Sequence, residues 1–202
     1  MANLPEGVVR GEDGVARCWW GAADPLYRRY HDREWGRPIK DERRLFEKIC
    51  LEGFQSGLSW ITILRKRENF RQAFSDFEVE TVARFNARKT ESLMKDAGIV
   101  RNRAKILATI NNARRCLELK KESGGLAAYA WSYEPQTVGD RVGVKAEAIA
   151  MSKDLKKRGW AFVGPTTIHS FMQAVGIIND HLNGCEMRDE VDRLRAKFVR
   201  PG

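Results

Sequence analysis

Residues 93–107 read LMKDAGIVRNRAKIL, and they contain the clearest signal for a helix, a turn and a second helix. The first helical pattern stops at Gly98, because glycine readily adopts the backbone that ends a helix. Leu107, Ile110 and Leu117 then recur at helical spacing, and we expect them to face inward beneath a basic outer face. The stretch therefore predicts two helices joined by a tight hairpin, with the second covering about residues 101–121.

The rest of the chain repeats this helical patterning. Residues 45–50 form an apolar stripe, with Asp41 as the predicted cap and Gly53 as the predicted stop. Similar patterns begin near Ser59 and cover residues 146–158. Alternation with period two is never sustained long enough to indicate a strand. The sequence predicts an all-α fold.

Bulk composition narrows the class of protein. The 202 residues suffice for one large domain or two small lobes, and the net charge of +9 favours a polyanionic partner such as nucleic acid. The apolar runs are too short to span a bilayer, and the first residues lack the apolar core of a secretory signal. We therefore expect a cytoplasmic protein without a membrane partner. In that compartment the four cysteines are thiols or metal ligands rather than disulfides.

The hairpin is similar to a helix-hairpin-helix DNA-binding element, whose turn usually reads Gly-hydrophobic-Gly. Val100 takes the place of the second glycine. Such a turn presents backbone N–H groups to a phosphate, and neighbouring basic side chains add charge. A simple corner between two helices with a basic surface is the alternative. The residues predicted to contact DNA here are Gly98, Ile99, Arg101, Arg103 and Lys105.

His181 and Cys185 lie four residues apart, a spacing that would place both on one face of a helix. Cys18 and His31, near the other end of the chain, complete a possible Cys₂His₂ set, which is typical of a closed structural zinc site. A catalytic zinc is disfavoured, since no acidic or water-activating residue adjoins these ligands. The alternative is a buried cysteine beside an unrelated histidine.

Aromatic residues crowd around one acidic residue, Glu52. Rings near a basic surface suit stacking on an unpaired base, and an acid among them could bind a cationic base. The alternative is that the rings form a core and that Glu52 is a solvated residue at a helix end. The rings are Trp19, Trp20, Tyr27, Tyr30, Trp35 and Trp60.

Taken together, residues 17–185 closely resemble the bacterial DNA-3-methyladenine glycosylase I family. The similarity is most specific in GLSWITILRKREN (57–69) and SFMQAVGIINDH (170–181). It implies an α-helical fold of the helix-hairpin-helix glycosylase superfamily. It also implies hydrolysis of the N-glycosidic bond of 3-methyladenine in alkylated double-stranded DNA. We expect a monomer, associated with the nucleoid while it acts.

The resemblance also implies roles for individual residues. Glu52 would hydrogen-bond the damaged adenine, and Tyr30 and Trp60 would stack on it. Leu58 is the candidate wedge that enters the base stack. The residues implied to line the pocket are Trp20, Tyr27 and Trp35, and those implied to hold a structural zinc are Cys18, His31, His181 and Cys185.

The family pattern does not cover the whole chain. We predict a flexible extension over residues 1–16, a glycosylase domain over residues 17–188 and a charged tail over residues 189–202. Within the domain, residues 17–35 and 178–186 would form the zinc lobe. His169 stands where the family leads us to expect tyrosine, and Phe54 where a polar residue is common.

Two readings of function remain at this point. The resemblance implies no nucleophilic lysine, so the expected enzyme releases free base and leaves an abasic site without cutting the strand. The alternative is a non-catalytic module that recognises damaged DNA. Release of free base discriminates between them.

Overall fold

The computed structural model describes residues 4–136 and 144–202, and within these ranges the chain forms ten α-helices and a two-stranded sheet. Strands β1 (Val8–Arg10) and β2 (Ala16–Cys18) pair antiparallel. The body of the chain is helical as predicted, and the β-hairpin is an unpredicted addition. The helices are α1 (Pro25–Arg33), α2 (Glu42–Gln55), α3 (Trp60–Ala73), α4 (Val79–Val82), α5 (Ala87–Lys95), α6 (Arg103–Ser123), α7 (Leu126–Trp131), α8 (Ala146–Lys157), α9 (Pro165–Ala174) and α10 (Glu186–Lys197).

Helix α2 lies in the middle of the core and packs against α3, α6, α7 and α9. Its cap is Asp41 as predicted, because the carboxylate accepts a hydrogen bond from the Arg44 N–H at 2.8 Å. The predicted stop at Gly53 was wrong, since this glycine keeps a helical backbone and α2 continues to Gln55. Gly53 instead allows a close approach, because a Cβ there would lie 3.4 Å from Cβ of Phe162.

A cluster of phenylalanines joins α2 to α3. The Phe54 ring lies 4.6 Å from that of Phe70 and 5.8 Å from that of Phe74, measured between centroids. All three side chains are fully buried. The unusual Phe54 is therefore a core residue, and its side chain points away from the pocket described below.

The predicted hairpin is present as the connection between α5 and α6. Its turn is held locally by Asp96, whose carboxylate accepts the Gly98 N–H at 2.7 Å. Asn102 caps α6 by accepting the Lys105 N–H at 3.1 Å. From α3, the Lys66 ammonium donates to the carbonyl of Ala97 at 3.0 Å. The turn is thus fixed both to the helix that follows it and to α3.

One inward-facing prediction on α6 was wrong. Ile110 is buried and Leu117 is half-buried, but Leu107 is 48% exposed. The inward position is Ile106, and the next residue along a helix points about 100° away from it. The apolar face of α6 thus begins one residue earlier than the pattern suggested.

Both ends of the described chain contain secondary structure. Within the predicted flexible extension 1–16, residues from Val8 onward form the β-hairpin, with the intervening residues as its turn. The predicted tail 189–202 begins inside α10, which buries Val191. After α10, the Phe198 ring packs on Trp131 with their centroids 4.5 Å apart. In both segments a few apolar residues, Val8, Ala16 and Val191 among them, are buried against the rest of the chain.

The turn-forming residues of the segment WSYEPQTVGDRVGV (131–144) predict an irregular stretch, and residues 137–143 of it lie outside the described residues. Among the helices of the described ranges, none combines the length and the apolar character that crossing a membrane requires.

Candidate active site

A cavity of about 310 Å³ opens between α1, α2, α3 and α9. The six residues predicted to form a base pocket all line it, although they come from separate parts of the chain. The lining residues are Trp19, Trp20, Tyr27, Tyr30, Trp35, Glu52, Gln55, Trp60, Ser170, Gln173, Asp180 and Leu182.

Glu52 is the acidic residue that α2 contributes to this cavity. Its residue surface is only 5% exposed, so the reading of Glu52 as a solvated residue was wrong. Burial raises the pKa of Glu52 well above the usual range of a glutamate, and the positive charge of Lys48 opposes that rise. A positively charged ligand would therefore stabilise the ionised form of this buried carboxyl most strongly.

Aromatic rings form the walls around Glu52. The rings of Tyr30 and Trp60 lie 5.4 Å apart at an interplanar angle of 45°. Tyr27 joins α1 to the start of α3, because its hydroxyl accepts a hydrogen bond from the Ile61 N–H at 3.1 Å. The walls are therefore fixed by backbone contacts and are ready to enclose a flat ligand.

Trp20 and Trp35 close the side of the cavity nearest the two chain ends. Their rings meet edge to face at 4.9 Å. On their far side, the Trp20 ring lies 5.0 Å from that of His31 and the Trp35 ring lies 4.5 Å from that of His181. These two indoles thus form a wall shared by the cavity and the Cys/His cluster.

The sequence reasoning missed the contribution of α9 and the segment after it. Ser170 and Gln173 lie three residues apart, a spacing that places both on one helix face toward the cavity. Asp180 accepts hydrogen bonds from Gln173 at 2.8 Å and lies 3.2 Å from Nε2 of His169. His169, the departure from the family pattern, therefore acts on the cavity wall through Asp180.

The surface predicted to contact DNA is only partly exposed. Leu58 is 41% exposed in the turn between α2 and α3, where Gly57 supplies a left-handed backbone at φ 77°. Arg101 is exposed, and Arg103 forms a solvent-exposed ion pair with Glu91 at 2.5 Å. These positions are compatible with contact to a phosphate backbone.

Two of the residues predicted to contact DNA have buried side chains. Lys105 is 7% exposed, and its ammonium donates to the carbonyls of Phe54 at 2.8 Å and Ser56 at 2.6 Å. Ile99 is buried in the core. Lys105 therefore holds the end of α2 and the turn bearing Leu58, and its charge satisfies carbonyls rather than phosphates.

The Cys/His cluster brings the two ends of the domain together. One ligand atom from each of Cys18, His31 and Cys185 lies within 4.8 Å of the others, and all three residues are buried. The ring of His181 is 5.0 Å from that of His31. The predicted helical stacking was wrong, because residues 179–185 are irregular and α10 begins after them. Cys18, His31 and Cys185 nevertheless converge, and the His181 ring packs beside them.

Charged neighbours orient this cluster. Nδ1 of His31 lies 2.8 Å from the Asp32 carboxylate, which leaves Nε2 facing Cys185 Sγ at 3.6 Å. Asp32 is itself held by the buried Arg17. Hydrogen bonds from Cys18 and then His31 lower the pKa of Cys185, so its thiolate form is favoured. Soft thiolates and oriented imidazoles are the donors that zinc prefers.

Fold and site define an α-helical protein whose aromatic, acid-bearing pocket suits a flat heterocycle of nucleobase size. Residues 19–189 match the family model of methyladenine glycosylases. The chain is 48% identical to DNA-3-methyladenine glycosylase 1 of Escherichia coli over 179 residues, which is 85% of this chain and 96% of that protein. The chain belongs to the methyladenine glycosylase family, which confirms the resemblance seen in the sequence.

Solved structures agree with this assignment. The structure that describes 3-methyladenine recognition by 3-methyladenine DNA glycosylase I of Staphylococcus aureus matches with a TM-score of 0.81 at 38% identity, covering 85% of this chain and 96% of that one. A crystal structure of another 3-methyladenine DNA glycosylase I matches with a TM-score of 0.79 at 46% identity, covering 84% and 98%.

Proposed function

We propose that this protein is a DNA repair glycosylase that hydrolyses the N-glycosidic bond of 3-methyladenine in alkylated double-stranded DNA. The observation that carries the proposal is the Glu52 carboxyl, buried among aromatic rings in a cavity of nucleobase size. The relatives that match along most of the chain are named for this activity. The products are the free base and an abasic site.

The charge of the damaged base explains why one carboxyl suffices. Methylation at N3 makes the adenine of the nucleotide cationic, so it leaves readily and needs little acid catalysis. The Glu52 carboxylate favours this cation, whereas neutral adenine would leave a buried charge unpaired at high cost. The glycosidic bond then breaks through an oxocarbenium-like state, and water attacks C1′.

The base must leave the helical stack before it can enter the cavity. Extrusion costs a few kcal/mol, and stacking on the Tyr30 and Trp60 rings offsets this by about 1–3 kcal/mol for each ring. Leu58, which is exposed on its turn, would fill the gap left in the stack. The Lys105 ammonium stabilises that turn by donating a hydrogen bond to the Ser56 carbonyl.

The α5–α6 connection acts in this proposal as a helix-hairpin-helix element. Backbone N–H groups at the start of α6 and the exposed Arg101 and Arg103 would contact the phosphate backbone, with Gly98 allowing close approach. The net charge of +9 adds a long-range attraction that weakens with salt.

We also propose that the enzyme is monofunctional. A strand-cutting glycosylase uses an amine to form a covalent intermediate with the sugar. Of the described residues that line the cavity, none is a lysine. The expected product is therefore an uncut abasic strand, and a covalent enzyme–DNA adduct trapped by borohydride would contradict this part of the proposal.

We propose further that Cys18, His31, His181 and Cys185 hold a structural zinc ion. Support comes from the convergence of buried sulfur and nitrogen donors and from the carboxylate that orients His31. Bound there, zinc would supply folding free energy by joining the N-terminal segment to residues after α9, with no part in the chemical step.

Metal analysis tests the zinc site without reference to activity. Purified protein should contain one zinc per chain by elemental mass spectrometry, and Cys185→Ser should lose it and unfold at a lower temperature. Cys116→Ser, at a buried cysteine far from the cluster in sequence, is the control that should keep the zinc. Native protein that is fully folded and free of zinc would overturn this proposal.

Base release tests the proposed activity. Native protein should release 3-methyladenine from methylated duplex DNA, measured by mass spectrometry, and Glu52→Gln should reduce the rate by about 10–100-fold because a charge-assisted hydrogen bond worth about 1.5–3 kcal/mol is lost. Glu118→Gln, which changes an exposed carboxylate that pairs with Arg115, is the matched control. Folded protein that binds the duplex but releases no base would favour a non-catalytic damage-binding module.

A further inference from the structure

Lys48 is a buried cation that the proposed function does not use. It lies on α2 one turn before Glu52 and is 4% exposed. Its ammonium lies 4.6 Å from the centroid of the Tyr30 ring and 5.8 Å from that of Trp60. It does not line the cavity, so it stands behind the aromatic wall. Burying an ammonium is costly, so this placement calls for a compensating charge.

The carboxylates nearest to Lys48 are largely occupied by other cations. Arg67 donates to both oxygens of Glu34, at 2.5 and 3.0 Å. Lys48 Nζ lies 3.9 Å from Glu34 and makes no hydrogen bond with any residue in the described ranges. The ammonium therefore acts through its electric field, which extends through an interior of low dielectric.

Glu52 is the group on which this field has a functional effect. Residues four apart on a helix share a face, so α2 directs both side chains to the same side. The charge of Lys48 favours the ionised form of Glu52, against the effect of burial. We propose that Lys48 is the counter-ion that allows Glu52 to ionise inside the cavity, and that it thereby sets the preference for a cationic base. This inference rests on the proposed function.

Other charged and titratable groups face this pair from each packed element, and most are already paired. Arg71 binds Glu47 at 2.8 Å, and Asp180 is held by His169 and Gln173. Lys48 also lies 3.9 Å from Glu34 without a hydrogen bond to it, and its charge is the one that opposes the effect of burial on Glu52. The groups that act on Lys48 or Tyr30, or that line the cavity with Glu52, are Tyr27 and Tyr30 on α1, Glu34 after it, Glu47 on α2, Arg67 on α3 and Asp180 after α9.

The pH dependence of base release distinguishes a counter-ion from a packing residue. In native protein, kcat/KM should rise with pH as Glu52 ionises. In Lys48→Met no positive charge opposes the effect of burial, so the pKa of Glu52 rises. The acid limb of the pH profile, where kcat/KM falls as Glu52 takes up a proton, then moves up by about one pH unit. At pH values below the native pKa of Glu52, kcat/KM falls about tenfold. Lys48→Arg, which keeps the charge, should move the limb back toward its native position.

Three further measurements keep the inference falsifiable. Lys120→Met removes the same charge from an exposed site and should leave the limb in place. Thermal unfolding checks that Lys48→Met is folded, and Lys48→Gln replaces it if it is not. Carbon-13 NMR of carboxyl-labelled glutamate, assigned with Glu52→Gln, reads the pKa of Glu52 directly.

The outcomes separate the two proposals. A pKa of Glu52 that is higher in Lys48→Met supports the inference even if native protein releases no base, a result that would count only against the glycosylase proposal. A loss of activity by the same factor at every pH, with the pKa of Glu52 unchanged, would overturn the inference and leave the glycosylase proposal standing.

Discussion

The cavity and the α5–α6 hairpin use charge in opposite ways. In the cavity, Glu52 and Lys48 are buried behind and among aromatic rings, where each charge is felt strongly because water is excluded. On the hairpin, Arg101 and Arg103 are exposed to solvent, where single charges contribute little and salt screens them. The first arrangement suits selection of one base, and the second suits general affinity for DNA.

A substitution of Lys105 should give the largest effect that bears on this contrast between buried and exposed charges. It belongs to the hairpin by sequence but contacts the end of α2 and the turn after it, since its ammonium donates to the carbonyls of Phe54 and Ser56. Lys105→Met should therefore lower the free energy of unfolding by about 2–4 kcal/mol, because the buried Phe54 carbonyl and the partly buried Ser56 carbonyl lose a charged donor. Chemical denaturation measures this.

The contrary outcome for Lys105 is equally specific. If the side chain bound a phosphate instead, the substitution would leave stability unchanged and reduce the salt dependence of DNA binding by about one counterion. That result would place Lys105 with the exposed charges of the hairpin.

The same comparison shows how far the sequence could lead. The six pocket residues, Tyr30, Glu52 and Trp60 among them, were placed by resemblance, because each matches a family motif at a fixed position. Leu107 was misplaced because a basic, amphipathic helix does not reveal whether Ile106 or the adjacent Leu107 faces the core. The difference between them is a rotation of about 100°, which only tertiary packing fixes.

Other parts of the site gave no readable signal. Asp180 acts in the cavity only because His169 and Gln173 hold it there. Lys48 is one lysine among many in a basic chain, and only its burial marks it. The order of residues 8–18 depends on pairing with one another and contact with the distant 182–186 segment, which local patterns do not encode.

Within the cavity, the stacking wall should show the next largest effect. Trp60→Leu should lower kcat/KM for base release about 10–100-fold, since one stacking contact is worth about 1–3 kcal/mol. Trp19→Leu is the control, because Trp19 lines the rim and is 64% exposed. Equal decreases in kcat/KM for the two variants would mean that the exposed Trp19 ring contributes as much to base release as the buried Trp60 ring.

On the hairpin, a single exposed charge should have a smaller and less selective effect. Arg101→Met should weaken binding to methylated and unmethylated duplexes by the same factor, and lower the slope of log K against log salt by about one. Fluorescence anisotropy titrations at several salt concentrations measure both quantities. If Arg101→Met weakened binding to the methylated duplex alone, Arg101 would contribute to recognition of the damaged base rather than to general affinity for DNA.

The smallest expected effect concerns the corrected face of α6. Leu107→Ala should change the free energy of unfolding by less than about 0.5 kcal/mol, because the side chain is nearly half exposed. Ile110→Ala, one turn further and buried, should cost about 2–5 kcal/mol. Comparable losses at the two positions would show that Leu107 packs inward after all.

The indole wall formed by Trp20 and Trp35 gives the protein a built-in optical signal. One side of each ring meets the candidate base cavity, and the other meets an imidazole of the Cys/His cluster. Indole emission responds to contacts within a few ångströms, so the same two rings should report both stacking of a base and loading of a metal. Trp20→Phe and Trp35→Phe would assign the two signals, and intrinsic fluorescence could then follow both events in unlabelled protein.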